Sequence, residues 1–500
     1  MSGNSEVEFG KWRSFFWPIH RWELKKFLPM FGMFFLIAFN YNSLRSYKDT
    51  MVVTAQGSGA EVIPFIKVWL VLPCAILFAI FFTYLANRFR REQVFYIMLS
   101  FFIAFFALFT FVLLPAQEHL HPHVAADKLQ AILPEGFKGL IAIFRNWTFS
   151  LFYVVSELWS TAILSVLWWG FANEVTTVNE AKRYYGLLMM GGNVAGVVAG
   201  YAAVCFSGNL FYEWLPYGKG PWEQSILFLN LALISSGVLT MLLFRWLNRH
   251  VIRPTAAETA APQERPKVKM SLWENFKMLA QSKYLLCIAV IVLGYNLSMN
   301  LIEVVWKNQM LQLYPDASDY NRYMGHVMIG MSILAAFSGM FITTNLIRRY
   351  SWTRVALISP CIILITGITF LAIAIFQHSM GAFLGVAPLV LAVTLGSLQN
   401  IVSRASKYTL FDATKEIAFI PLDPDTKLKG KAAIDGVGSR LGKSGGSMIH
   451  QGLLMVFATV AGSTPYIGFI FFGVIIVWIG AAVSLGKQFD RLTGKVRLEA

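Results

Sequence analysis

Charged side chains recur inside apolar stretches of this chain, at spacings that could do chemistry. Arg45 and Lys48 close the run "FNYNSLRSYKDT", Lys67 lies in "PFIKVWLVLP" and Glu157 in "YVVSELWSTAILS". Glu303 and Lys307 stand one helical turn apart in "NLIEVVWKNQ". Arg440 and Lys443, three apart in "GVGSRLGKSGG", share a helix face. An ionised group at bilayer depth costs at least about 2.5–3.5 kcal/mol on insertion scales, so it faces a cavity or a partner. Each has a plainer alternative: Lys48 and Lys307 could snorkel to an interface along their stems, and Glu303 could simply pair with Lys307. As a set, cations outnumber anions. That describes a cavity for an anionic ligand, since ammonium groups and an arginine fork are the usual partners of phosphate oxygens.

The Gly-Lys-Ser of "GVGSRLGKSGG" invites comparison with a nucleotide-binding P-loop, and the spacing rejects it. A Walker loop needs a glycine five residues before the Gly of Gly-Lys-Ser. Val437 stands there, with Gly436 and Gly438 one place off on either side. The buried strand that precedes such a loop is missing from the pattern, and no carboxylate pair for Mg²⁺ stands beside Lys443. The reading is therefore not an enzyme, with no cofactor, no catalytic residue and no metal. His119, His121 and His123 alternate in "EHLHPHV", but the proline and the lack of a second ligand group weigh against a metal site. Cys74, Cys205, Cys287 and Cys361 are far apart in apolar runs and read as packing residues.

The elements that must carry these residues follow from composition. The chain has 500 residues, 56% hydrophobic and 14% charged, whereas soluble domains carry about a quarter charged. Runs such as "VFYIMLSFFIAFFALFTFVLLP" approach the ~20 residues that cross a bilayer as a helix. The expected fold is an all-α polytopic membrane protein of about twelve spans, at 28–48, 62–87, 94–115, 147–172, 184–206, 225–247, 284–306, 324–347, 353–377, 381–403, 433–460 and 465–487. The Ala-, Pro- and charge-rich stretch 249–283 reads as a linker between two six-helix halves, 28–248 and 284–487, with a segment 1–27 before and a tail 488–500 after. Six plus six with a polar linker suggests parallel repeats, the major-facilitator plan. Glycine clusters in "KRYYGLLMMGGNVAGVVAGY" and "KAAIDGVGSRLGKSGGSMIHQG" echo each other between halves, as close helix packing requires.

Lys and Arg collect in 1–27, "NRFRREQ", "NEAKRYY", the linker, "IRRYSWTR", 404–443 and the tail. The positive-inside rule then puts both termini in the cytoplasm. The net charge of +15 is largely this topology signal, helped by anionic lipid. It does not require nucleic acid, because the basic residues alternate with spans and form no single patch. Trp168 and Trp169, at a span end, read as interface anchors. The N-terminus carries no secretory signal or transit-peptide pattern.

The run "ASKYTLFDATKEIAFIPLDPDTKLKGKAAIDGVGSRLGKSGGS", 405–447, resembles the ATP/ADP translocase family, the nucleotide transport proteins of plastids and obligate intracellular bacteria, and the chlamydial branch in particular. "FNYNSLRSYKDTMVVTAQGSGAEVIPFIKVWLV" and "RNWTFSLFYVVSELWSTAILSVLWWGFANEV" are similar to the family's first, second and fourth spans, and the likeness covers nearly the whole chain. The resemblance implies twelve spans and antiport of external ATP for internal ADP, with a basic central cavity binding the phosphates. It implies roles for Lys48, Glu157, Glu303 and Lys443; Arg45, Lys67, Lys307 and Arg440 are added from the residue pattern. It also implies a monomer in lipid, in a bacterial inner membrane. The chain departs from the family where ATP/ADP exchangers read Leu-Arg-Asp-Thr-Lys-Asp: it has "LRSYKD", with Ser46 and Tyr47. The fifth span, "LLMMGGNVAG", departs as well, and places Asn193 near the cavity. The alternatives left by these departures are exchange of NAD, GTP or general ribonucleotides, and proton-coupled import.

Overall fold

The computed structural model describes residues 13, 17–208, 211–252, 281–377, 379–381, 385–431, 433–434 and 438–499. Most of the expected linker and of segment 1–27 lies outside them. Twelve long helices follow the expected order: α1 Leu24–Val53, α2 Val62–Arg88 and α3 Arg91–Leu113, α4 Trp147–Val175, α5 Val178–Phe206, α6 Pro221–His250, α7 Lys283–Leu313, α8 Ala317–Ile347, α9 Trp352–Phe376, α10 Pro388–Ser406, α11 Ser439–Phe457 and α12 Val460–Glu499. Ten are long and apolar enough to cross a membrane. The exceptions, α10 and α11, stand at the tenth and eleventh expected places and carry polar residues such as Gln399, Asn400, Arg404, Lys443 and Ser447.

Sequence chemistry sets several helix ends. Thr177 and Glu180 cap α5 reciprocally, which satisfies two otherwise unpaired backbone N–H groups. Asp316 accepts from the amides of Ser318 and Asp319 at the start of α8, and proline opens α6 and α10, where its missing N–H costs nothing. Several expected limits shift: α7 runs seven residues beyond 306, α10 begins seven after 381, and α12 starts five before 465 and continues twelve beyond 487 through the expected tail. Helix α1 runs five residues beyond 48, α8 begins seven before 324, and α10 continues through a π-helical turn, Lys407–Phe411, into Asp412–Ala418. The tenth span therefore does not stop at 403, and Arg404 stands inside a helix.

Packing in α1–α6 recurs in α7–α12. Helix α1 lies against α4, α5 and α6 as α7 lies against α10, α11 and α12, and α3 meets α6 as α9 meets α12. The glycine echo belongs to this repeat. A Cβ on Gly191 or Gly192 would run into Phe31 or Phe34 of α1, and one on Gly442 or Gly446 into Asn296 or Asn300 of α7. Small residues thus let the fifth helix of each half close on the first.

The halves join along α5–α8, α2–α11 and α1–α8. Gly200 and Gly325 let α5 and α8 touch backbone to backbone: a Cβ on either would lie 2.8 Å from the other's carbonyl oxygen. Several hydrogen bonds that tie the halves gather near the last turns of α1 and the first turns of α2 and α8, termed the distal end. There Asn321 accepts from Ser46 at 3.2 Å and Thr50 at 3.1 Å while donating to Ser207 at 2.7 Å. Gln451 donates to the Pro64 carbonyl at 2.9 Å and accepts from Trp69.

Gly325→Val should force α5 and α8 apart, an overpacking cost of about 1–3 kcal/mol. A lowered thermal midpoint of the purified protein is expected; an unchanged midpoint would remove this crossing from the account.

Candidate functional site

Because α1 runs unbroken to Val53, Lys48 and Asp49 end inside the bundle, 6% and 2% exposed. Lys48 Nζ lies 3.0 Å from Asp49 Oδ1 and 3.2 Å from Glu157 Oε2 on α4, and stands 3.8 Å over the Tyr153 ring. The other oxygen of Asp49 accepts from Lys307 of α7 at 2.7 Å. Lys307, 1% exposed, reaches back one turn to Glu303 at 2.9 Å. Glu303 also accepts from Arg404 of α10 at 2.9 Å and faces Lys67 of α2 at 4.0 Å. The result is a continuous chain of alternating charge, Glu157–Lys48–Asp49–Lys307–Glu303–Arg404, that passes from one half to the other at Asp49–Lys307.

Four sequence candidates, Lys48, Glu157, Glu303 and Lys307, fall in this chain and Lys67 stands at its side. Neither Lys48 nor Lys307 snorkels to an interface: both are buried and ion-paired. Arg45 lies one turn away, its guanidinium 3.6 Å from the Met331 sulfur. It shares a cleft with Ser46, Asp49, Glu303, Asn400 and Arg404. Lys443 is exposed, within electrostatic reach of Glu157, and its carbonyl accepts from Asn300 at 3.1 Å. Asn193 is half-buried on α5 between the glycines that meet α1 and α8, outside the charge chain. Arg440 is in α11; its side chain lies outside the described ones.

Asp49 and Arg404 escaped the sequence reading. Asp49 sits in the same "YKDT" as Lys48, with the same warning of a charge at depth. Arg404 was counted among the basic cytoplasmic residues because the tenth span was ended one residue too early. Counted together, Arg45, Lys48, Lys67, Lys307, Arg404 and Lys443 face Asp49, Glu157 and Glu303: six cations, three carboxylates, an excess of three positive charges. The opposite side of the cleft is apolar, formed by Trp306, Met324, Val327, Met328 and Met331.

Other sequence candidates play different parts. Tyr47 is buried in the N-terminal half, its ring edge-on to Phe152 and Trp222 and its hydroxyl accepting from Asn230. Ser46 does reach the cleft. Trp168 is fully buried against Phe34 and is no interface anchor; Trp169, half-buried, packs on Phe34 and Tyr185. His121 shares a 2.6 Å hydrogen bond with Thr148, and burial, with His123 nearby, pushes its pKa down to about 4. No group of metal-binding residues occurs among the described residues.

Three cations share Glu303, so Glu303→Gln should leave Lys307, Arg404 and Lys67 facing one another. A buried charge stripped of its partner costs about 3–5 kcal/mol. The double variant Glu303→Gln/Arg404→Gln should regain part of the thermal stability lost by the single change. Strictly additive losses would contradict the network.

Comparison with known proteins matches this architecture. The family model described as TLC ATP/ADP transporter matches residues 2–489. The chain is 47% identical over 496 residues to ADP,ATP carrier protein 1 of Chlamydia trachomatis serovar D, covering 98% of this chain and 93% of that one. It is 42% identical to the chloroplastic ADP,ATP carrier protein 2 of Arabidopsis thaliana over 95% of this chain and 76% of the relative. Among solved structures, a bacterial homologue of the iron transporter ferroportin in an inward-facing state superposes with TM-score 0.58 at 12% identity, covering 94% of this chain and all of that one. The inward-open xylose transporter XylE from E. coli gives 0.52 at 13%, covering 93% and 95%. These two share the fold alone; the sequence relatives and the family model carry the assignment, and this chain belongs to the TLC ATP/ADP transporter family.

Proposed function

We propose that this protein is a nucleotide antiporter that exchanges external ATP for internal ADP by alternating access of its two six-helix halves. The observation that carries the reading is the buried, balanced charge chain with three further cations, Arg45, Lys67 and the exposed Lys443, beside it, in a chain whose relatives are named ADP,ATP carriers. Polyphosphate oxygens balance the charge that Arg45, Lys67 and Lys443 add beyond the carboxylates, and compete with those carboxylates for the paired cations, in charge-assisted bonds that are shorter and stronger than neutral ones. Lys48, Lys67, Lys307, Arg45 and Lys443 are the phosphate-binding groups, with Arg440 beside Lys443 on α11. Arg404 joins them. Glu157 and Glu303 hold the cations apart when no nucleotide is present. The apolar side of the cleft, Trp306 with Met324, Met328 and Met331, suits the base, methionine being adaptable against flat rings.

The bodies that move are 28–248 and 284–487, tied by the cytoplasmic linker 249–283. Both termini lie in the cytoplasm, and the distal end faces outward from a bacterial inner membrane, an orientation supported by the Lys and Arg distribution. Each monomer is a complete transport unit, since the charge chain closes within one copy. At neutral pH ATP carries about one more negative charge than ADP, so one-for-one exchange moves charge and responds to membrane potential. Tyr47 packs away from the cleft and Ser46 lines it; the choice of ATP and ADP over NAD or other nucleotides rests on relatives named ADP,ATP carriers.

In proteoliposomes preloaded with ADP, labelled ATP should enter, and cold ATP and ADP should compete far better than NAD, GTP, CTP or UTP. Stronger competition by NAD or another nucleotide would transfer the assignment to that substrate, and uptake driven by a pH gradient into empty vesicles would make the protein a proton-coupled importer.

A further inference from the structure

Among the groups of the charge chain, Asp49 has the position least suited to binding substrate and best suited to controlling the cycle. It is an anion, 2% exposed, and both of its oxygens are committed: one to Lys48 of its own half at 3.0 Å, the other to Lys307 of the opposite half at 2.7 Å. Around it the halves are laced by hydrogen bonds from Ser46 and Thr50 of α1 to Asn321 of α8. Ser46 and Thr50 flank Asp49 within a turn on α1. Separation of the halves there must break the Asp49–Lys307 ion pair, whose two groups are both buried. A second bond across the halves, Lys67 to Glu303, is longer at 4.0 Å.

An exchanger needs its empty form to stay put and its loaded form to turn. We propose that Asp49 is the coupling residue of this carrier: it stands in for substrate phosphate in the empty state by holding Lys48 and Lys307 together, and so blocks reorientation until a nucleotide takes over those two cations. This rests on the antiport reading above and adds to it the reason why internal nucleotide is required. The chemistry is one of competition. A carboxylate offers two oxygens to the two ammonium groups, while a polyphosphate offers more oxygens and more charge to the same pair. With the ammonium groups turned to phosphate, Lys307 no longer depends on Asp49. Among the described side chains, the polar ties that remain between the halves include the longer Lys67–Glu303 contact and the neutral hydrogen bonds at Asn321 and Gln451, which exchange for water at little cost. No group gains or loses a proton and no covalent bond changes.

The test compares labelled ATP uptake into ADP-loaded and into empty proteoliposomes. Wild-type protein should show uptake dependent on loading; if it shows no exchange at all, the antiport reading itself fails. For Asp49→Asn, the ratio of loaded to empty uptake should fall at least about tenfold, as expected when the cost of breaking a buried ion pair is removed, and Asp49→Glu should restore much of it. An Asp49→Asn carrier that keeps the wild-type ratio, whatever its rate, overturns the proposal, as does one that binds nucleotide but transports under neither loading. A second measurement leaves Asp49 intact. In a background without Cys74, Cys205, Cys287 and Cys361, Thr50→Cys and Asn321→Cys are bridged by a short thiol-reactive linker. ATP or ADP should slow the bridging, because it releases the halves; bridging at an unchanged or faster rate would overturn the proposal.

Discussion

Lys307 carries a charge with no path to water, and much of the structure follows from satisfying it. One buried ammonium needs carboxylates on at least two sides. It finds Glu303 one turn back on its own helix and Asp49 on the first helix of the other half. Those carboxylates in turn need Lys48 and Arg404, and Lys48 needs Glu157. Removing one partner of such a buried pair costs about 3–5 kcal/mol, a large fraction of the stability of a typical domain. An arrangement this demanding is weak evidence for stability in itself, since apolar replacements of buried ion pairs often fold as well or better. On the proposed function its value lies in what it can exchange: the cations are already gathered and buried before a phosphate would arrive.

The helices serve that gathering in two ways. Small residues bring the fifth helix of each half onto the first, and Gly200 with Gly325 brings the halves together. Contact between halves made largely of small side chains and single hydrogen bonds separates more readily than an interlocked apolar core. Local widening of the helices does the rest. Lys67 opens a π-helical turn, Ser160–Trp168 follows Glu157 by a single turn, and Lys407–Phe411 follows Arg404. A π-turn rotates the residues after it relative to those before, so three helices change register beside the charges they carry.

The fold was legible because lipid imposes one rule on the whole chain: long apolar helices with polar breaks. The spans, their number and their pairing into halves all follow from it. The site was legible to the extent that a charge inside an apolar run needs explaining, which singled out Lys48, Lys67, Glu157, Glu303 and Lys307. It failed where the rule loses resolution. Arg404 lay one residue beyond a boundary drawn too early, because α10 keeps its helix through a polar stretch that reads as loop. Asp49 was hidden by its neighbour: two adjacent opposite charges look like a local pair, whereas adjacent residues on a helix point about 100° apart, and this one spans the halves. Trp168 shows the converse error, since an aromatic near a span end suits an interface and a core equally well until its neighbours are known. The π-turns leave no mark in composition.

The central claim is that the cations gathered in and beside the charge chain bind phosphate. It is tested most directly by calorimetric binding of adenosine, AMP, ADP and ATP to the purified protein at two salt concentrations. The account predicts affinity that rises with each phosphate, by roughly tenfold or more where a new charge-assisted bond forms, and that weakens as salt rises. Adenosine binding as tightly as ATP, with no response to salt, would contradict it.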